Sequence, residues 1–149
     1  MADSLQIALH FLKFRPRSVF EVEQKLKSKK ISESEIKKII ATLKKNGLLD
    51  DKKFAKMWVR DRNLLKPTGS FLLKLELKRL GLSDVDIESA LHDQNEEELA
   101  RRTLESKHRY RNVVRLGSTA ASRRDFQKQA AFLQRRGFPT SVIYKILKN

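Results

Sequence analysis

The side chains of this 149-residue chain that could carry covalent or metal chemistry are few and far apart. Its three histidines, His10, His92 and His108, lack the short spacing of a helical metal-ligand pair. There is no cysteine, so thiolate catalysis, thiolate ligation and disulfides are all excluded. No serine stands in a G-x-S-x-G elbow, and the five glycines are isolated, so no glycine-rich loop is there to cradle a phosphate. The carboxylate runs Asp50-Asp51 and Glu96-Glu97-Glu98 fall where helices begin, a place where the helix dipole favours negative charge. The expectation is a protein that is not an enzyme and uses no metal and no cofactor.

What the chain has in quantity is positive charge. Lysine and arginine number 33 against 18 aspartates and glutamates, a formal charge of +15 with a pI near 10.3. A soluble protein this basic is drawn to polyanions or acidic protein surfaces. The first cationic group is Arg15-Pro16-Arg17, in an inter-helix turn and expected to be exposed there. Lys25, Lys27, Lys29 and Lys30 crowd the end of the second helix, and Lys37, Lys38, Lys44 and Lys45 line the outer face of the third. A further group gathers Arg101, Arg102, Arg109, Arg111, Arg123, Arg124, Arg135 and Arg136 around Tyr110, a mixture able to stack on exposed bases. Trp58, beside Arg60 and Arg62, has the spacing of a core residue packed next to Phe54. The candidate contact residues are Arg15, Arg17, Lys37, Lys38, Arg101, Arg102, Arg123, Arg124, Arg135 and Arg136. Lysines on helix 33–46 suit phosphate contact better than base recognition, which argues against sequence-specific reading.

The elements that must position these residues follow from a phrase written three times. It runs Leu26, Ile31-Ser32, Ile36; then Leu77, Leu82-Ser83, Ile87; then Leu133, Phe138-Pro139, Ile143. The five- and ten-residue offsets are the same in each copy, and a period of about 50 residues points to stacked helical units. Helical apolar spacing and helix-end signals predict nine helices, over 3–14, 19–29, 33–46, 51–65, 70–80, 84–92, 96–115, 123–136 and 140–148. Ser18, Ser32, Ser83 and Ser122 begin capping-box patterns, and Asp50 or Asp51 can cap the fourth helix. Gly47, Gly81 and Gly137 fit left-handed helix ends. Pro139 replaces the serine of the other copies, so the last cap is expected to shift to Thr140. The fold class is all-α: three tandem three-helix repeats of helix-turn-helix type, elongated and curved, at 1–49, 50–94 and 95–149. Their formal charges are +6, +1 and +8, so the outer repeats are basic and the middle one is nearly neutral.

No apolar run approaches the roughly 20 residues needed to span a bilayer. The stretch from Leu5 to Leu12 is broken by Gln6 and His10 and has no basic segment before it, unlike a signal peptide. A cytoplasmic monomer without membrane attachment is the expectation.

In order along the chain, Ala8-Leu9, Leu12, Arg15-Pro16-Arg17-Ser18, Glu23 and Leu26 lead to Gly47-Leu48-Leu49-Asp50-Asp51, Phe54-Ala55 and Trp58-Val59-Arg60-Asp61-Arg62. Gly69, Glu76-Leu77-Lys78, Gly81, Ile87 and Ala90-Leu91 continue the series. This text resembles the RecX family of recombinase regulators, densely over about 7–91. It is thinner afterwards, where it rests on Leu99-Ala100-Arg101 and Arg135-Arg136-Gly137-Phe138. The resemblance implies three-helix modules that bind the RecA recombinase and its DNA filament and restrain filament growth, ATP hydrolysis and strand exchange. The alternative from charge alone is a basic helical protein that binds single- or double-stranded DNA without RecA.

Overall fold

The repeated phrase is a way of ending one helix and beginning the next. At the three helix ends the chain turns left-handed, at Lys30 (φ 60°), Gly81 (φ 79°) and Gly137 (φ 91°). The same two hydrogen bonds close each end. Ile31 N–H donates to Leu26 O (3.3 Å) and Lys30 N–H to Lys27 O (2.9 Å); Leu82 and Gly81 donate to Leu77 and Lys78 (3.2 and 3.0 Å); Phe138 and Gly137 donate to Leu133 and Gln134 (3.1 and 2.9 Å). This is the Schellman pattern, which brings together apolar residues five positions apart. The five-residue step of the sequence is that pairing. Leu26, Leu77 and Leu133 are fully buried, and Leu82 and Phe138 nearly so.

Each following helix then starts in the same register. Ile36 N–H donates to Ser32 O (2.9 Å), Ile87 to Ser83 O (3.0 Å) and Ile143 to Pro139 O (3.1 Å). The Ser32 and Ser83 hydroxyls accept from the Glu35 and Asp86 N–H groups. The expected shift of the third cap to Thr140 does not occur. Pro139 keeps the cap position because that position needs only a carbonyl, and Thr140 is the first helical residue.

The computed structural model describes residues 2–108 and 120–148. Among them lie nine helices and no strand: α1 (Ala2–Phe14), α2 (Val19–Ser28), α3 (Glu33–Lys45), α4 (Asp51–Leu65), α5 (Ser70–Arg79), α6 (Asp84–Leu91), α7 (Glu96–His108), α8 (Ala120–Arg135) and α9 (Thr140–Lys148). Helix α8 begins three residues before the expected start, so Ser122 lies within it and is not its cap. The adjoining Ala120 and Ala121 have high helix propensity. The expected extension of the seventh helix over 109–115 falls outside the described residues.

Two compact units make up the chain, Met1–Trp58 with Glu76–Ala90 and Val59–Leu75 with Leu91–Asn149. Their limits fall inside α4, α5 and α6 and not between repeats. In the first unit Ala8, Val22, Leu26, Ile36, Ile39, Ile40, Leu43 and Leu49 form one core cluster. In the second, Leu99, Ala100, Leu104, Leu133, Phe138 and Ile143 do so, with α7 and α8 packed on α9. Burying each large aliphatic side chain contributes roughly 1.5–3 kcal/mol. The cores thus fix which helix faces remain for partners.

Candidate functional site

The turn from α1 to α2 is organised around Glu21. Ser18 and Glu21 form a complete capping box, the Ser18 N–H donating to the Glu21 carboxylate at 3.1 Å. The same carboxylate pairs with the Arg15 guanidinium and lies 3.6 Å from that of Arg17. Arg17 also donates from Nε to Phe11 O (3.4 Å), and its Cζ sits 3.9 Å from the Phe11 ring centroid. Only 16% of its side chain is exposed. The two arginines therefore do not stand free in the turn, as the sequence suggested, because the cap holds Glu21 within reach of both.

Another carboxylate completes this helix start. Asp50 caps its own helix, accepting from Lys53 N–H (3.2 Å), while Asp51 accepts from Val19 N–H (2.9 Å). Burial raises the Asp51 carboxyl above the ordinary Asp range, against the pull of that hydrogen bond. With Glu21 and Asp51 in place, the positive end of α2 is already matched by two side-chain carboxylates. It is not an anion site.

Helix α3 buries Ile36, Ile39, Ile40 and Leu43 and exposes Lys37, Lys38, Lys44 and Lys45. These ammonium groups can meet phosphates or carboxylates. Trp58 has the packing role expected of it: its ring stacks on buried Phe54, centroids 5.9 Å apart, and its Nε1–H donates to Glu76 (3.1 Å).

In the second unit Arg101 and Arg102 are exposed on α7, and Arg123, Arg124 and Arg135 are exposed on α8. Arg101 reaches Glu97 at 3.8 Å, while Lys145 binds the same carboxylate at 2.6 Å and holds it below the ordinary Glu range. Arg136 turns the other way. It donates to Pro67 O (2.7 Å) and Thr68 Oγ1 (3.2 Å), in a network where Thr68 N–H donates to Asn63 (2.8 Å) and Gln94 to Thr68 O (3.2 Å). Glu96 accepts from Ser70 N–H (3.3 Å) beside it, and burial raises its carboxyl above the ordinary range despite hydrogen bonds from Gln94 and Ser70. Arg136 holds a loop in place and is a positioning residue. Tyr110, Arg109 and Arg111 lie outside the described residues.

Two cations that sequence reasoning passed over, Lys107 and Lys128, line a recess of about 370 Å³ with Arg135 and Ala131. Lys107 Nζ also lies 4.1 Å from the Phe132 ring centroid. The signal for Lys128 was its seven-residue distance from Arg135, two helical turns along one face. Lys107 had none, because it belongs to another helix. Among the described lining residues three are cations and none is a carboxylate, a balance that suits an anionic group. Among the described residues, no cluster of three or more His, Asp or Glu could hold a metal, and no helix is long and apolar enough to cross a membrane.

Comparison with known proteins places these surfaces on a recurring scaffold. Residues 5–43, 50–91 and 95–147 match the family models of the first, second and third three-helix domains of RecX. The regulatory protein RecX of a Geobacillus strain is 31% identical over 140 residues, covering 94% of this chain and 51% of the relative. That of Leuconostoc mesenteroides is 37% identical over 98 residues, 66% of this chain and 37% of the relative. The chain thus spans about half or less of the length of these relatives. The crystal structure of RecX from Lactobacillus salivarius superposes with a TM-score of 0.85 at 28% identity, over 99% of this chain and 94% of that one.

Proposed function

The chain belongs to the RecX family of regulatory proteins, and from that premise we propose that it binds the RecA recombinase and its DNA filament, restraining filament growth, ATP hydrolysis and strand exchange. The observation that carries this reading is the succession of three RecX domain matches over residues 5–147. Curated relatives bearing the same name support it. The mode of action is regulatory binding and not catalysis, with each repeat (1–49, 50–94 and 95–149) acting as one module of a monomer in the cytoplasm. Exposed cations are the contacts we assign: Lys37 and Lys38 on α3, Arg101 and Arg102 on α7, and Arg123, Arg124 and Arg135 on α8. Several weak contacts on one chain act together, so no single one need be strong.

The test adds purified protein to RecA assembled on single-stranded DNA with ATP. ATP hydrolysis and strand exchange should both fall; no effect at several-fold excess over filament ends would sink the proposal. The charge of +15 favours one further reading, a DNA-binding protein that acts without RecA. It requires tight binding to bare DNA with a steep salt dependence. Weak binding to bare DNA but strong binding to RecA-coated DNA at physiological salt rules it out.

A further inference from the structure

The first unit carries a groove of about 620 Å³ beside α1, floored by Ile7, Phe11 and Phe14 and rimmed by Arg17, Lys25 and Lys29. Phe14 is 70% exposed and adjoins Ile7 and Phe11 in one apolar floor, so it is part of a patch and not a lone exposed ring. His10 meets it edge-on at 5.0 Å and fixes one side of the ring. Among the described residues, no carboxylate lines the groove. Glu21 is shared by Arg15 and Arg17, so Arg17 is already held by a carboxylate, and Lys25 and Lys29 are the rim cations turned to a ligand.

We propose that this groove docks an acidic peptide segment that inserts one aromatic or large aliphatic side chain between Ile7, Phe11 and Phe14 while its carboxylates face Lys25 and Lys29. A single-stranded nucleic acid fits less well. Strand binding uses successive bare ring faces, whereas Phe11 is engaged by Arg17 at 3.9 Å and Lys25 at 5.5 Å, leaving Phe14 alone. The volume lies in the range of pockets that accept a small ligand or a few side chains. Docking here goes beyond recombinase regulation and needs neither RecA nor DNA.

The test is fluorescence anisotropy of the full chain with a labelled short peptide of glutamates around one central phenylalanine, at physiological salt. Phe14→Ala and Lys29→Glu, both at exposed positions, should each weaken binding about tenfold, with helical circular dichroism unchanged. Replacing the probe's phenylalanine by serine should weaken it similarly, and the loss should not add to that of Phe14→Ala. Absence of binding overturns the proposal, as does equal affinity for wild type and Phe14→Ala. If oligothymidylate of matched charge binds more tightly and loses that affinity in Phe14→Ala, the groove is a nucleic-acid site and the proposal also fails. Because RecA is absent from the assay, failure here leaves the filament experiment untouched, and the reverse holds.

Discussion

The Ser18 hydroxyl donates a 2.6 Å hydrogen bond to the carbonyl of Leu80, 62 positions along the chain. The same oxygen accepts from Glu21 N–H at 3.2 Å, so one fully buried side chain both begins α2 and satisfies the end of α5. The contact continues at the next residue: a Cβ on Gly81 would fall 2.2 Å from Cβ of Phe20. Ser18 is therefore more than a helix cap. It links two segments of the first unit that the sequence keeps in different repeats.

Ser18→Ala removes the cap and leaves the Leu80 carbonyl without its donor. The expected cost is roughly 2–3 kcal/mol, against about 1 kcal/mol for Ser32→Ala, whose exposed hydroxyl caps its helix and otherwise meets the exposed Ser34 hydroxyl at 3.3 Å. Urea unfolding of the two variants compares them directly. Equal losses would mean that the Leu80 bond adds nothing to stability.

Lys30 stands at the left-handed position that glycine fills in the other two copies. An L-residue with a side chain is strained there and glycine is not, so Lys30→Gly should stabilise the protein by about 1 kcal/mol. For a chain of this size that is a rise in Tm of roughly 2–4 °C. Gly81→Ala should do the reverse and by more, since it adds a collision with Phe20 to the backbone strain. A drop in Tm for Lys30→Gly would refute the strain argument.

These substitutions show why so much of the fold was legible. The repeated phrase records local rules: residues five apart pair across a Schellman end, and the cap follows at once. Local rules survive the change from Ser83 to Pro139, which is why the third copy keeps its register. The binding surface was less legible because it depends on what each cation meets in space. Arg17 meets Glu21 four residues away, the same spacing that sets exposed Arg101 beside Glu97, so spacing alone does not separate the two. Arg136 meets Thr68 only through packing, 68 positions apart. Phe14 reads in sequence as one more apolar residue of α1, yet it is 70% exposed.

Gly69 and Gly137 meet backbone to backbone. Gly69 N–H donates to Arg136 O (2.8 Å) and Phe71 N–H to Gly137 O (3.0 Å), and a Cβ on Gly69 would lie 2.1 Å from the Gly137 carbonyl carbon. No flexible side chain is there to move aside. Gly69→Ala should therefore break both bonds and cost about 3 kcal/mol or more. Gly47→Ala meets nothing within 4 Å and should cost only the strain of its positive φ, about 1–2 kcal/mol. Chemical denaturation that ranks the two in the opposite order would contradict the close approach.

Asp51 and Glu96 both have carboxyls raised by burial. The folded protein therefore binds these protons at higher pH than the unfolded chain does. Their contribution to stability is fully present below the ordinary carboxylate range and is lost as the pH rises through the folded values. Relative to a Asp51→Asn/Glu96→Gln double variant, the wild type should gain stability as the pH falls from 7 to 4. Denaturation midpoints for both proteins across that interval provide the check, and a constant difference would show that burial does not govern these groups.

Arg135 and Arg136 are neighbours in sequence with opposite surroundings, which separates contact from support in one experiment. Arg135 is exposed at the cationic recess with Lys107 and Lys128. Arg135→Glu should weaken filament and DNA binding, lower the slope of log affinity against log salt by about 1, and leave the unfolding midpoint in place. Arg136→Ala removes the charged donor that ties Pro67 and Thr68 to the end of α8, a loss of roughly 2–3 kcal/mol. Its binding, measured where the variant is still folded, should keep the wild-type salt slope, because a guanidinium turned toward Thr68 releases no counterion from a phosphate. If Arg136→Ala lowers the slope while Arg135→Glu does not, the inward and outward roles assigned to this pair are reversed.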